Sequence, residues 1–252
     1  MKAWLLGWFA SCVAASAAAA PSGEDDSPPA RFAVVVGNNA GDGEGLADLR
    51  HADDDAARFF ELLSMAGVDV ELLSVLDAST QRLHGRAAAR ARAPTRTELL
   101  ESLKRTFEKV ERAEERGRRT IFYFVYVGHG SVGRDGEGRM HLLDGYLSRS
   151  DVFQKILGPS PARINHLIID ACNAYLMVAR RGQGKKLDEA LSRFLKREDL
   201  SAHPDTGVLL STSKATEVHE WSRFEAGVFS HEVRSALVGA ADVDEDGKTT
   251  YA

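Results

Sequence analysis

Residues 121–131, IFYFVYVGHGS, form an apolar run of strand length that ends in a histidine between two glycines. The apolar residues predict a β-strand over 121–127. Glycines let the backbone approach a ligand closely and leave N–H groups free. The segment therefore predicts a strand that carries His129 just beyond its carboxyl end.

A second apolar run, HLIIDACN over residues 166–173, ends in a cysteine. Free cysteine is often a small buried hydrophobe, so Cys172 alone is ambiguous. Asp170, however, breaks the apolar run where the chain leaves the core, and small or polar residues follow the cysteine. Two strands that carry an imidazole and a thiol at their ends indicate a nucleophile and its base.

The remaining hydrophobic pattern predicts a sheet whose strands are separated by helices. Strands are predicted over 32–36, 68–76, 121–127, 164–169 and 208–211, and helices over 48–66, 95–116 and 187–194. The Arg/Ala-rich stretch 78–94 is left open. The alternation favours an α/β three-layer sandwich, with a mainly parallel central sheet and helices on both faces. Function in such sheets collects at the carboxyl ends of strands, where His129 and Cys172 fall.

The N-terminus has the pattern of an export signal. Lys2 precedes the apolar stretch 4–13, and Ala18-Ala19-Ala20 offers a cleavage site. We expect residues 1–20 to be a signal peptide and the protein to be exported, to the periplasm or outside a bacterial cell. A lipoprotein with lipidated Cys12 is the alternative interpretation. We then expect a polar linker over 21–30 and one domain over 31–252, its C-terminus truncated.

Removal of the signal peptide leaves Cys172 as the sole cysteine, so the fold must depend on a packed core rather than on a disulfide. The formal charge of −5 argues against a general nucleic-acid binder. No later segment approaches the roughly 20 apolar residues that span a bilayer.

Glycines distinguish His129 from the other seven of the chain's eight histidines. They make the Gly130 N–H, together with the Cys172 N–H, a candidate oxyanion hole for the charge on a carbonyl oxygen. The residues alone leave two alternatives open: His129 pairs with Cys172 in a catalytic site, or each residue has only a structural role.

The two segments together resemble the His and Cys motifs of the caspase-like clan (peptidase C14), and most closely its metacaspase-like bacterial branch. The family's motifs read apolar-Y-x-G-H-G and apolar-D-x-C-H-S-G. The resemblance continues in order through 32–38, 49–56, 209–213 and 226–230, which match the first strand, an L-x-x-x-x-N-D-A segment, the strand after the nucleophile and a G-x-F-[ST] helix start.

This resemblance implies a caspase-like fold and a cysteine endopeptidase that acts on proteins or peptides. His129 would assist proton transfer and Cys172 would attack the peptide carbonyl, with no cofactor and no catalytic metal. No third member of a triad is expected, because the family's dyad need not be tightly hydrogen-bonded before substrate arrives.

The resemblance also implies a specificity. Asp170 and Asp55 match positions of an acidic S1 pocket, which favours Arg or Lys as the P1 residue before the cleaved bond. Ser211 falls among the substrate-binding positions. An alternative for residues 53–55 is that three aspartates favour the start of a helix through its dipole.

The sequence departs from the family pattern at two points. Val127 replaces a residue that is often small and polar, and Asn173-Ala174-Tyr175 replaces His-Ser-Gly. These departures indicate either a substrate pocket that differs from the family's or an enzyme of weak activity. The alternatives are therefore a silent caspase-like module that binds peptides or partner proteins, and a different Cys–His enzyme such as a legumain-like transpeptidase or a non-peptidase hydrolase.

Two further segments carry expectations of their own. The basic stretch 180–186 lies where the family often processes itself, so it is either a self-cleavage site or a solvated loop. Residues 242–247 copy the start of an EF-hand loop, D-x-D-x-D-G, but the sequence ends before the expected twelfth ligand. Residues 242–247 have two interpretations, as part of a calcium-binding loop or as an ordinary acidic turn.

Overall fold

The computed structural model describes residues 27–41, 47–171, 200, 202–211, 220–221 and 226–242. The strands are β1 Ala30–Asn38, β2 Asp69–Ser74, β3 Thr120–Gly128, β4 Gly130–Val132, β5 Gly138–Leu142, β6 Gly145–Ser148, β7 Ile164–Asp170, β8 Thr206–Leu210, β9 Glu220–Trp221 and β10 Ala226–Gly227. The helices are α1 Ala52–Met65, α2 Ala78–Leu83, α3 Gly85–Ala88, α4 Arg96–Glu115, α5 Arg149–Asp151 (continued by the π-helical segment Val152–Leu157) and α6 Val228–Ser235 (continued by the π-helical segment Ala236–Ala240).

The central sheet has five parallel strands in the order β2-β1-β3-β7-β8. All five predicted strands belong to it, so the predicted α/β class with a mainly parallel sheet is confirmed. Because every strand runs in the same direction, the carboxyl ends of β3 and β7 meet at one edge of the sheet.

Apolar side chains on the two faces of the sheet form two separate cores. On one face α4 and the π-helical segment Val152–Leu157 pack against alternate residues of β1 and β3, such as Val34 and Phe124. On the other face α1 and Val233 of α6 pack against Val35 and Val125. The alternation puts neighbouring residues of one strand into opposite cores, which accounts for the unbroken apolar runs in the sequence.

Hydrogen bonds from side chains determine where the two long helices begin. Thr95 caps α4, its hydroxyl oxygen accepting from the Glu98 N–H at 3.2 Å, at the start of the helix predicted over 95–116. Helix α1 begins at Ala52, after the predicted start at residue 48, because Asn39 Oδ1 accepts from the Ala52 N–H at 2.8 Å. This cap comes from the loop after β1 and fastens that loop to the helix.

Two regions have structure that the hydrophobic pattern does not reveal. The stretch 78–94 contains the short helices α2 and α3, and residues 130–148 form a three-stranded antiparallel sheet, β4-β5-β6, directly after His129. The predicted helix over 187–194 lies outside the described residues. Within the described ranges, no helix combines the length and the apolar character needed to cross a membrane.

Candidate active site

His129 lies immediately after β3, at the carboxyl edge of the central sheet. The residue is 6% exposed, and its Nε2 has no hydrogen-bond partner among the described residues. A buried polar atom without a partner is uncommon, because it loses its bonds to water and gains none in return. This nitrogen therefore has the properties expected of a group that serves a ligand or a reacting atom.

The backbone of His129 is held while its ring nitrogen remains available. Its carbonyl accepts from the Tyr126 hydroxyl at 2.8 Å and from the His141 N–H at 3.0 Å. The Tyr126 oxygen lies equally close, 2.8 Å, to the His141 carbonyl oxygen, so one hydroxyl proton serves two carbonyls. Complete burial raises the pKa of Tyr126 far above its usual range, which keeps the phenol protonated as a donor.

The small antiparallel sheet supplies a second layer of contacts behind His129. His141, on β5, presents its ring edge-to-face to that of His129, with centroids 6.4 Å apart. Its Nε2 lies 2.7 Å from Ser131 Oγ, and its carbonyl accepts from Asn38 Nδ2 at 3.1 Å. The sheet begins at Gly130, the predicted oxyanion donor. These contacts fix the position of the backbone that carries the His129 imidazole.

The end of β7 approaches the end of β3 in register. Val127 pairs with Asp170 across the two parallel strands. The predicted nucleophile, Cys172, lies outside the described residues, and Ala171 is the last described residue before it. The structure thus describes β7 and Ala171, which lead up to the predicted nucleophile, but not Cys172 itself.

Ser211 lies against the backbone of Ala171 rather than in an open pocket. Its hydroxyl oxygen accepts from the Ala171 N–H at 3.0 Å, and the hydroxyl donates to the Ala171 carbonyl at 2.8 Å. Ser211 is buried, and its own N–H donates to the Ile169 carbonyl. A role in substrate binding stays a prediction for Ser211, whereas its described contacts position the backbone just before Cys172.

The two predicted pocket carboxylates, Asp55 from α1 and Asp170 from β7, meet around the start of α6. Asp55 Oδ2 accepts from the Gly227 N–H at 2.6 Å, and Asp55 Oδ1 lies 2.7 Å from Arg234 Nη1. Asp170 Oδ2 accepts from the Ser230 N–H at 3.2 Å and from the Ser230 hydroxyl at 2.6 Å. These residues form one cluster, which we call the acidic cluster: Asp55, Asp170, Gly227, Ser230 and Arg234.

Burial dominates the electrostatics of the acidic cluster. Desolvation raises the pKa of Asp55 to about 6, although the Arg234 guanidinium and the Gly227 N–H favour its ionised form. Desolvation also raises the pKa of Asp170, against the hydrogen bonds from Ser230. The pKa of Arg234 is lowered from its usual value by the same burial. The cluster is thus a desolvated site in which each charge depends on its neighbours.

The three aspartates at the start of α1 have different roles. Asp53 accepts from Asn39 Nδ2 at 2.6 Å and from the Asp77 N–H at 2.9 Å. Asp54 accepts from the Thr80 hydroxyl at 2.9 Å, with its other oxygen 3.1 Å from His51 Nδ1. Asp53 and Asp54 therefore connect α1 to the segments that precede and form α2, and Asp55 is the one of the three that reaches the acidic cluster.

Sequence reasoning did not identify Tyr126 or Arg234 as parts of the site. Tyr126 fills the tyrosine position of the apolar-Y-x-G-H-G motif, but the motif does not indicate that its hydroxyl binds the His129 carbonyl. Arg234 is one cation on an amphipathic helix and pairs with a carboxylate on α1. Gly227 and Ser230 did carry a signal, because residues 226–230 match the family's helix-start motif.

Several other expectations fall outside the described residues. These are the basic stretch 180–186, most of the EF-hand-like segment 242–247 and the signal peptide 1–20. Within the described part of the chain, no group of three or more His, Cys, Asp or Glu side chains is arranged to hold a metal ion. The sequence-based interpretation of each segment stays a prediction.

A comparison with models of protein families agrees with this architecture. The model of the caspase domain, Peptidase C14, matches residues 30–245, which is most of the chain. A solved structure that matches is protein GSU0716 from Geobacter sulfurreducens, a structural genomics target, with 18% identity over 84% of this chain and 83% of that chain at a TM-score of 0.48. No curated protein sequence matches. The chain belongs to the caspase-domain family of C14 peptidases.

Proposed function

We propose that the protein is a cysteine endopeptidase in which Cys172 is the nucleophile and His129 its acid–base partner. One observation carries this assignment: Val127 pairs with Asp170 across the neighbouring parallel strands β3 and β7. His129 and Cys172 each follow two residues beyond that pair. The buried Nε2 of His129 has no hydrogen-bond partner among the described residues. This supports the assignment, since a general base needs a nitrogen free to take a proton.

The proposed reaction uses groups of this chain alone. Cys172 Sγ attacks the scissile carbonyl carbon, and its proton passes to His129 Nε2. His129 then protonates the leaving amine as the C–N bond breaks, which leaves a thioester on Cys172. Water hydrolyses the thioester and restores the thiol. The N–H groups of Gly130 and Cys172 are the proposed donors to the oxyanion.

The proposal includes a preference for Arg or Lys at P1. Asp55 and Asp170 support it, because both carboxylates border Gly227: a Cβ at that position would lie 2.9 Å from Asp170 Oδ2 and 3.3 Å from Asp55 Oδ2. A cation bound beside desolvated carboxylates gains more than a neutral side chain does. Export of the protein and self-cleavage within 180–186 belong to the same proposal and rest on the sequence.

Cleavage of a P1-scanning peptide library tests the proposal. Wild type is compared with Cys172→Ala and His129→Ala, and His203→Gln serves as the control. His203 precedes β8 and so lies at the opposite edge of the parallel sheet. We expect the first two variants to lose at least about 100-fold in kcat/KM, the contribution typical of a nucleophile or general base, and the control to keep its activity.

The same library separates the alternatives. Faster cleavage after Asp than after Arg contradicts the P1 preference. A folded wild type that neither cleaves nor reacts with a thiol-directed peptidyl inhibitor is the silent binding module. Ligated peptides or ester cleavage, seen by mass spectrometry, indicate a transpeptidase or another hydrolase. A Cys172→Ala chain that is still clipped within 180–186 excludes self-cleavage.

A further inference from the structure

Arg234 brings a cation into the acidic cluster. Its guanidinium binds Asp55 at 2.7 Å and lies 5.3 Å from the centroid of the Phe59 ring. The side chain of Arg234 is 11% exposed and that of Asp55 is 1% exposed. The pair is therefore desolvated and packed against an aromatic ring, unlike an ordinary surface ion pair.

The pair leaves the two carboxylates in different situations. Both oxygens of Asp55 are occupied, one by Arg234 and the other by the Gly227 N–H. Asp170 accepts hydrogen bonds from neutral groups, chiefly those of Ser230, and no ion pair between described residues includes it. The charge of Arg234 favours ionised Asp170 more weakly than these hydrogen bonds do. Asp170 also keeps part of its surface exposed, whereas Asp55 is fully covered.

We propose that Arg234 is a specificity-determining residue: it neutralises Asp55, so that Asp170 alone supplies the negative charge that selects a basic P1 side chain. This inference rests on the proposed function and assigns different roles to the two aspartates. Arg234 sets the strength of the selection, because it reduces the charge presented to substrate from two carboxylates to one.

A resident cation also explains how the cluster stays folded without substrate. Two unpaired carboxylates in a desolvated site repel each other, and each loses its hydration. Arg234 removes one of the two charges permanently. Asp170 is stabilised by hydrogen bonds instead, which leaves its charge available to an incoming cation.

The test measures selectivity, as the ratio of kcat/KM for P1 Arg to that for P1 Gln. In Arg234→Met, Asp55 loses the cation that favours its ionised form, so its pKa rises further and the ratio is measured at alkaline pH. A P1 cation then meets a second carboxylate, and we expect the ratio to rise by about 10-fold. The double variant Asp55→Asn/Arg234→Met removes both charges and should return the ratio to within about 2-fold of wild type. Arg234→Lys, which keeps the charge, should stay near wild type.

Arg58 offers a matched control on the same carboxylate. Its Nη1 lies 3.7 Å from Asp55 Oδ1, and its side chain is 24% exposed. Because solvent screens this more distant pair, Arg58→Met should change the ratio by less than about 2-fold. An equal rise in Arg58→Met and Arg234→Met would show a general charge effect and overturn the specific role of Arg234.

A binding measurement tests the role of Arg234 without requiring the protein to cleave a substrate. In the Cys172→Ala background, binding of n-butylguanidinium, the analogue of an arginine side chain, is compared with that of neutral n-butylurea by NMR titration. We expect Arg234→Met to bind the cation about 10-fold more tightly than its parent and the double variant to bind it like the parent. Equal binding in all three overturns the role of Arg234, whereas absence of cleavage by wild type overturns only the proposed function.

Unfolding of Arg234→Met does not prevent the test, because the double variant removes the charge of Asp55 together with that of its partner. Asp55→Asn/Arg234→Met can then be compared directly with wild type. A double variant that loses the preference for P1 Arg over P1 Gln would overturn the assignment of the selecting charge to Asp170.

Discussion

The Ser211 hydroxyl holds both backbone groups of Ala171, accepting from its N–H at 3.0 Å and donating to its carbonyl at 2.8 Å. Ala171 immediately precedes the proposed nucleophile. One side chain on the segment after β8 therefore fixes where the backbone leaves β7.

We expect Ser211→Ala to lower the free energy of unfolding by about 1–3 kcal/mol, because it leaves two buried backbone groups unpaired. If Ala171 positions Cys172, kcat should also fall, by about 10-fold, with a smaller change in KM. Urea unfolding and steady-state kinetics measure the two effects.

Ser235→Ala is the control for Ser211→Ala. The Ser235 hydroxyl donates to the His231 carbonyl at 2.9 Å within α6, away from the proposed nucleophile. Its removal should leave kcat unchanged. A Ser211→Ala enzyme with normal kcat but reduced stability would limit Ser211 to a structural role.

The selection of basic P1 residues should depend on pH. The folded pKa of Asp55 is about 6, raised from 3.8 chiefly by burial. As pH falls through about 6, Asp55 takes up a proton and the charge of Arg234 then offsets that of Asp170, so the site attracts a P1 cation less strongly. Asp170, with its raised pKa, changes in the same direction. The P1 Arg to P1 Gln ratio should therefore rise between pH 5 and 7.

A ratio of two substrates is the appropriate measurement, since titration of the Cys–His dyad affects both equally. The charged groups that face Asp55 are Arg58 on its own helix, Arg234 on α6 and Asp170 on β7. Asp170→Asn should flatten the profile and lower the ratio. A wild-type ratio that stays constant from pH 5 to 7 contradicts the prediction.

The same titration affects stability in the opposite direction. A carboxyl whose folded pKa lies above its unfolded pKa binds protons more tightly when folded. Its contribution to the free energy of unfolding is fully present below pH 3.8 and is lost as pH rises through about 6. The charge state proposed to select a basic P1 side chain is thus the less favourable one for the fold.

Much of the fold could be predicted from the sequence, because the elements that build the central sheet have strong patterns. Buried parallel strands such as β1 and β3 are nearly pure apolar runs, and α4 has both its cap and its apolar stripe in one continuous segment. The β4-β5-β6 sheet has no such pattern, since its strands are short and begin at glycines. Met140, Leu142 and Leu147 of this sheet are buried in the same core as α4, and a short sequence window does not contain both segments.

The candidate site was predictable only in part, for a similar reason. Asp55 and Asp170 were found through motif positions, and the structure brings them together. Arg234 joins them because α6 packs on the same face of the sheet as α1. This contact is a consequence of the tertiary fold. From the sequence alone, many other arginines could equally well have paired with Asp55.

Two carboxylates lie where a side chain at position 227 would be, and this favours glycine there. A Cβ there would lie 2.9 Å from Asp170 Oδ2 and 3.3 Å from Asp55 Oδ2, while the backbone of Gly227 (φ −67°, ψ 138°) suits any residue. Gly227→Ala should therefore act by crowding alone. We expect a loss of about 1–3 kcal/mol in the free energy of unfolding and a lower P1 Arg to P1 Gln ratio.

Gly85→Ala is the control for Gly227→Ala, since no heavy atom of the described residues, apart from its neighbours in its own helix, lies within 4 Å of its Cβ position. It should be neutral or stabilise the protein by up to about 1 kcal/mol. Thermal unfolding of both variants, together with the substrate ratio, separates crowding of the acidic cluster from the general effect of replacing glycine. Unchanged selectivity in a folded Gly227→Ala enzyme would contradict a pocket at this position.

Tyr126→Phe tests whether the backbone behind His129 contributes to catalysis. The buried hydroxyl lies 2.8 Å from the carbonyl oxygens of both His129 and His141. Its removal should cost about 1–2 kcal/mol of stability and should lower kcat/KM, because His129 then relies on the His141 N–H alone for its backbone position. Tyr123→Phe, which removes a half-buried hydroxyl from the same strand, is the control. Equal kcat/KM in the two variants, measured where both are fully folded, would show that Tyr126 stabilises the fold without positioning the histidine.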